Sequence, residues 1–127
     1  MQAGREVKYR AWDKEQNKML GPNFDREQYA IVSYNGLALL DITREDEDGY
    51  DYEMDVEWLQ YTGLHDKNGK EIYEGDILLW DGGFKVYVRV HFKDGMFLAG
   101  DMPLYDCVDE EVVGNIYENP ELLEVGK

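Results

Sequence analysis

The sequence predicts a mainly β fold: a small single domain with little helix, an irregular N-terminal β region over residues 5–70 and a small barrel over 71–124. Three observations predict it. Apolar and polar residues alternate with period two along several stretches, as in half-buried strands. Two-residue turn signals, Asn35-Gly36, Asn68-Gly69 and Asp94-Gly95, fall between apolar runs. Aromatic residues make up 13% of the chain, and with Val and Ile they suit pleated, half-buried surfaces. At 127 residues the chain is long enough to bury a core without staples.

In order along the chain, Val7, Tyr9 and Ala11 alternate with Lys8, Arg10 and Trp12 and read as a strand. The polar run 13–18 is a turn, after which Met19-Leu20 resumes the apolar pattern until Gly21-Pro22-Asn23 breaks it. Residues 24–28 suit a helical turn, and 29–34 a strand. Asn35-Gly36 then makes a hairpin into the returning strand 37–42, because both central residues of such a turn want positive φ. Residues 45–49 form an acidic loop, since four adjacent like charges cannot pack in a core.

From Tyr50 to Trp58 the alternation predicts one strand, with Tyr50, Tyr52, Met54, Val56 and Trp58 inward and Asp51, Glu53, Asp55 and Glu57 outward. Beyond Asn68-Gly69, residues 77–80 and 84–92 read as strands, the second with Phe84, Val86, Val88, Val90 and Phe92 inward and Lys85, Tyr87, Arg89 and His91 outward. Asp94-Gly95 turns into a strand over 96–99, and 110–117 supplies the last. Short strands at this spacing suggest a closed or nearly closed sheet, SH3-like in size. Asn119-Pro120 opens a last helical turn.

Charge constrains function. Asp plus Glu number 28 against 13 Lys plus Arg, a formal charge of −15. Such a surface repels phosphates and anionic lipid, so nucleic-acid and membrane partners are disfavoured. Cys107 is the single cysteine, so no intrachain disulfide forms and a reducing compartment fits. The first ten residues hold no apolar segment of a signal peptide, and no apolar run reaches membrane-spanning length; a cytoplasmic protein is expected.

The candidate sites are few. The acidic face Asp51, Glu53, Asp55 and Glu57, beside residues 45–48, carries side chains at roughly 6.6 Å intervals and suits imitation of a phosphate row or capture of a basic partner; a solvated, aggregation-resistant edge gives the same pattern. Lys85, Tyr87, Arg89 and His91, with Lys93 nearby, interleave basic and aromatic groups as a nucleic-acid platform does. Glu74 and Asp76 share a strand face but have no third ligand at metal spacing, and read as a strand-entry turn with solvated carboxylates. Set on Gly49, a calcium loop would place Arg44 where its first Asp belongs. His65, His91 and Cys107 sit in no metal or nucleophile signature. No catalytic residue, metal or cofactor is therefore expected.

Three stretches, in order, resemble the YopX-like family of phage- and prophage-encoded proteins: Arg5-Glu6-Val7-Lys8-Tyr9-Arg10-Ala11-Trp12-Asp13, then Gln60-Tyr61-Thr62-Gly63-Leu64-His65-Asp66-Lys67-Asn68-Gly69-Lys70-Glu71-Ile72-Tyr73-Glu74-Gly75-Asp76-Ile77, then Val112-Val113-Gly114-Asn115-Ile116-Tyr117-Glu118-Asn119-Pro120-Glu121-Leu122. Residues 21–57 match no pattern of it. The resemblance implies a mostly-β fold in a phage-derived protein at work in the bacterial cytoplasm, and transfers no catalytic residue. The expected function is a non-enzymatic accessory protein that binds a host or phage protein, self-association included. The alternatives are an acidic DNA mimic that inhibits a host nucleic-acid-binding protein, and a nucleic-acid-binding small barrel.

Overall fold

Twelve short strands, joined by tight turns, build three antiparallel sheets; the structure is a computed structural model and describes residues 7–33, 35–107 and 109–124. The chain forms two units, one from Tyr9 to Trp58 and one from Leu59 onward together with the residues before Tyr9. The seam expected near Lys70 therefore falls inside the second unit.

In the first unit, β1 (Tyr9–Asp13) and β2 (Lys18–Leu20) form a hairpin, with Ala11 opposite Leu20. Asp13 is buried, and its carboxylate accepts the Glu15 and Gln16 amides at 2.9 and 3.2 Å, which shapes the turn. A single helical turn follows, closed by the Tyr29 amide on the Asp25 carbonyl. β3 (Tyr29–Ser33), β4 (Leu37–Glu45) and β5 (Asp51–Glu53) then make a three-stranded sheet with β4 central. Asn35 and Gly36 both take positive φ, as expected, but Ser33 pairs with Leu37, so the connection has three residues rather than two.

The strand expected from Tyr50 to Trp58 is broken. β5 ends at Glu53, and β6 (Val56–His65) begins after Met54 and Asp55. The period-two pattern survives the break, because Met54 turns into the core while Asp55 stays out. Tyr50, expected inward, is 72% exposed in the turn before β5. The core of this unit gathers Ala11, Leu39 and Met54, with Phe24, Tyr29, Tyr52 and Trp58 packed against them. The Trp58 indole N–H donates to the Leu37 carbonyl at 3.2 Å, so its polar edge is satisfied.

In the second unit, β6 pairs with β7 (Glu71–Tyr73), Tyr61 lying opposite Tyr73. A five-stranded sheet follows: β8 (Asp76–Asp81), β9 (Lys85–Lys93), β10 (Met96–Ala99), β11 (Met102–Pro103) and β12 (Glu111–Asn115), in the order β11-β10-β9-β8-β12. The first four form a meander, and β12 returns to the free side of β8. A 3-10 turn, Leu104–Asp106, precedes β12, and another, Pro120–Glu124, follows it where Asn119-Pro120 predicted one. Lys93 pairs with Met96, so Asp94-Gly95 is the two-residue hairpin expected, both at positive φ. Ile72, Leu78, Val90, Ala99, Leu104, Cys107 and Val112 form the core. Phe84 and Phe92, expected inward with Val90, are 69% and 52% exposed, because Phe84 lies in the bend before β9 and Phe92 near its far end, beyond the span the core covers.

Candidate functional site

The acidic residues singled out in the sequence divide between two strands. Asp51 and Glu53 lie on β5 and Glu57 on β6, with Asp55 in the break between them. All four are exposed. The Lys14 ammonium lies 3.6 Å from Asp55 and 3.5 Å from Glu57, so that pair is partly neutralised. In the loop before β5, one Asp46 carboxylate oxygen accepts the Asp48 and Tyr50 amides at 2.9 and 3.0 Å. The loop shapes itself with the oxygen a cation would need. The acidic surface beside the sheet is then Asp51 and Glu53 together with the exposed loop residues 45–48.

That surface borders an apolar face. The register sets Val32 opposite Ala38, Ala30 opposite Leu40 and Leu40 opposite Glu53, all on the side of the sheet away from Leu39. Val32, Ala38 and Leu40 floor an open hollow of about 600 Å³ rimmed by Asp46, Tyr50, Asp51 and Glu53. The sequence did not mark this face, since 37–40 reads as a uniformly apolar run without a polar side.

In the second unit, Lys85, Tyr87, Arg89 and His91 do share one face of β9. Their neighbours qualify the platform: Lys85 pairs across strands with Asp81, and the His91 Nε2 is 2.8 Å from the Gly100 carbonyl oxygen. His65 packs edge-to-face on Tyr61, with centroids 6.0 Å apart. Cys107 is buried; burial, followed by the hydrogen bond and charge of Glu110, pushes its thiol up to about 11, far from a nucleophile's range. Among the described residues, no three His, Cys, Asp or Glu side chains converge as a metal-holding group.

The most ordered polar groups hold the frame. Asp66 is buried; one oxygen accepts the Asn68 and Lys70 amides at 2.8 and 2.9 Å, and the other accepts Val112, 46 positions on, at 2.9 Å. Burial would raise its carboxyl, but these three amides and the Lys70 charge outweigh that and hold it below the usual range. Asp76 is buried as well and accepts the Tyr73 amide at 2.8 Å, which corrects the expectation of solvated carboxylates at this turn. Asn115 binds the Tyr117 and Glu118 amides, and the Asn119 side chain accepts the Asn115 amide at 3.2 Å. A Cβ on Gly114 would fall 2.5 Å from that side chain, so the close approach requires glycine. The special residues of the second and third resembling stretches are therefore backbone fasteners.

A family model described as YopX protein matches residues 8–124, spanning both fastened stretches and the first unit. The chain belongs to the YopX family. None of the curated proteins compared matches this YopX-family chain. Among solved structures, the crystal structure of protein EF1440 from Enterococcus faecalis is similar to it, at 30% identity and a TM-score of 0.64, over 94% of this chain and 99% of that one. No helix among the described residues of this YopX-family protein is long and apolar enough to cross a membrane.

Proposed function

We propose that this YopX-family protein is a phage- or prophage-encoded accessory protein of the bacterial cytoplasm that works by binding a protein partner rather than by catalysis. The observation that carries the reading is the outer face of the β3–β4–β5 sheet, where Val32, Ala38 and Leu40 are framed by Asp46, Asp51 and Glu53. An apolar floor supplies area to remove from water, and an acidic rim selects a basic partner and speeds encounter with it. The meander β8–β9–β10–β11, with β12 on the free side of β8 and a 3-10 turn before it, supports reading 71–124 as an SH3-like small barrel. A mimic of DNA would use the same rim together with the rest of the exposed acidic loop 45–48.

Affinity capture from host cells carrying the phage or prophage tests the reading. A protein bound by the native chain is expected to be lost with Asp51→Lys and Glu53→Lys together; both sites are exposed, so the fold is unaffected. A partner held equally by both chains would remove this face from the proposal, and measurable turnover by the native chain would overturn the non-enzymatic reading.

A further inference from the structure

We infer that the open end of the second unit's five-stranded sheet binds an arginine side chain presented by a partner protein. The site lies in the other unit from the face described above and stands whether or not that face binds. The inner face of the sheet carries Leu78, Val88 and Ala99 into the core, and the same face runs on through Trp80, Val86 and Met102. Trp80 is 43% exposed and Met102 55% exposed. With Val86 and Val88 as floor and Asp106 and Glu110 at the edge, they bound a cavity of about 330 Å³. Trp80 and Glu110 also border a second hollow of about 260 Å³, which adds Asp81, Asp109, Glu111 and one cation, Lys67.

The paired hollows match one side-chain chemistry. An arginine has an apolar stem for the valine and methionine floor and a planar cation for the indole face and the carboxylates. Cation–aromatic attraction is strongest at Trp, and guanidinium–carboxylate hydrogen bonds are charge-assisted. An anionic ligand would meet Asp106, Asp109, Glu110 and Glu111 against Lys67 alone.

The indole is held in place before any ligand arrives. A Cβ on Gly82 would lie 2.2 Å from the Trp80 ring, so the ring lies against bare backbone that only glycine provides. Phe84 meets the ring edge-on, with centroids 5.6 Å apart. A platform already ordered loses little freedom on binding. Glu110 and Asp106 also lie close enough to the Cys107 thiol at the cavity wall to add, after burial, to its raising.

The test is an NMR titration of the full chain with the peptide acetyl-Gly-Gly-Arg-Gly-Gly-amide, following the Trp80 indole N–H. Saturable binding in the millimolar range, about what a single exposed side chain supports, is expected at that resonance. A peptide with citrulline for arginine, which keeps shape and loses charge, should bind at least about tenfold more weakly. Glu110→Gln with Asp106→Asn should weaken the arginine peptide by a similar factor while leaving the spectrum folded. Equal binding of both peptides, no change on neutralising the two carboxylates, or shifts confined to the Asp51 and Glu53 region would each overturn the proposal.

Discussion

Both units bury carboxylates that accept backbone amides, but they differ in reach: Asp13 and Asp41 of the first unit bind amides two or three residues on, while Asp66 of the second also binds Val112, 46 positions on. In the unit from Tyr9 to Trp58, Asp51, Glu53, Asp55 and Glu57 stand in solvent, over strands that pack around Leu39, and exposed Asp46 accepts only amides of its own loop. In the unit from Leu59 onward, Asp66 and Asp76 are withdrawn from water and spent on backbone amides. A solvated carboxylate contributes charge to a surface and little to stability, while a buried one that accepts several amides fixes chain geometry. The difference also explains why the resembling motifs concentrate in the second unit. A turn that needs one particular acceptor leaves a signature in sequence, and an acidic surface tolerates many arrangements.

The comparison can be broken most forcefully at Asp66. Asp66→Ala strands three amides, two of them in the turn and one on β12, and is expected to cost about 3 kcal/mol or more in urea unfolding. Core truncation should treat the units alike: Leu39→Ala and Leu78→Ala, both fully buried, should each cost about 2–5 kcal/mol, measured by the same melts. If Leu39→Ala is silent, the first unit does not depend on the packing described. Gly114→Ala forces the Asn119 side chain to move and is expected to cost about 1–3 kcal/mol. At the small end, Lys14→Ala removes exposed pairs with Asp55 and Glu57 and should shift stability by less than about 1 kcal/mol.

Acid tests the held carboxylates of both units. Asp66 lies below its ordinary range in spite of its burial, through its amide bonds; Asp41 lies below it through the Thr43 hydroxyl bond at 2.6 Å, against burial; Glu71 does so through its hydrogen bond to Lys8. A carboxylate whose folded pKa is depressed binds fewer protons folded than unfolded near its transition. Its stabilisation is full above the unfolded value, about 3.9 for Asp, and is lost as pH falls through the folded one. Urea midpoints should therefore fall between pH 5 and the most acid pH at which the chain stays soluble. Asp66→Asn, though less stable throughout, should show a shallower fall.

Much of the fold was legible because particular residues demand particular backbone. Asp94-Gly95 specified its hairpin, Asp66 its turn and Asn119-Pro120 its 3-10 turn. The break at Met54-Asp55 was hidden, because a bend that keeps Met54 inside and Asp55 outside preserves the alternation that signals a strand. Periodicity likewise placed Phe84 and Phe92 on the core face but could not say where the core ends along β9. The acidic face was visible as composition; that Lys14 covers Asp55 and Glu57 depends on the bend and on tertiary approach, and adjacent letters do not record either. The apolar floor beside it and the Trp80 cavity lie on residues that any strand-forming run would contain. Gly82, which the indole lies against, is the one local trace, and it falls in the gap between the expected strands 77–80 and 84–92.

The strand order β11-β10-β9-β8-β12 has a consequence for synthesis of the chain. β8 leaves the ribosome some thirty residues before its second neighbour, the interval from Asp81 to Glu111. Throughout that interval its hydrogen-bonding edge, flanked by Ile77, Leu78 and Leu79, lies open to any other nascent strand. Asp66 waits longer still, 46 residues, before the Val112 amide arrives to bond its second oxygen. The last strand therefore does more than complete the sheet. Its arrival ends the period in which the chain is most exposed to pairing with the wrong neighbour.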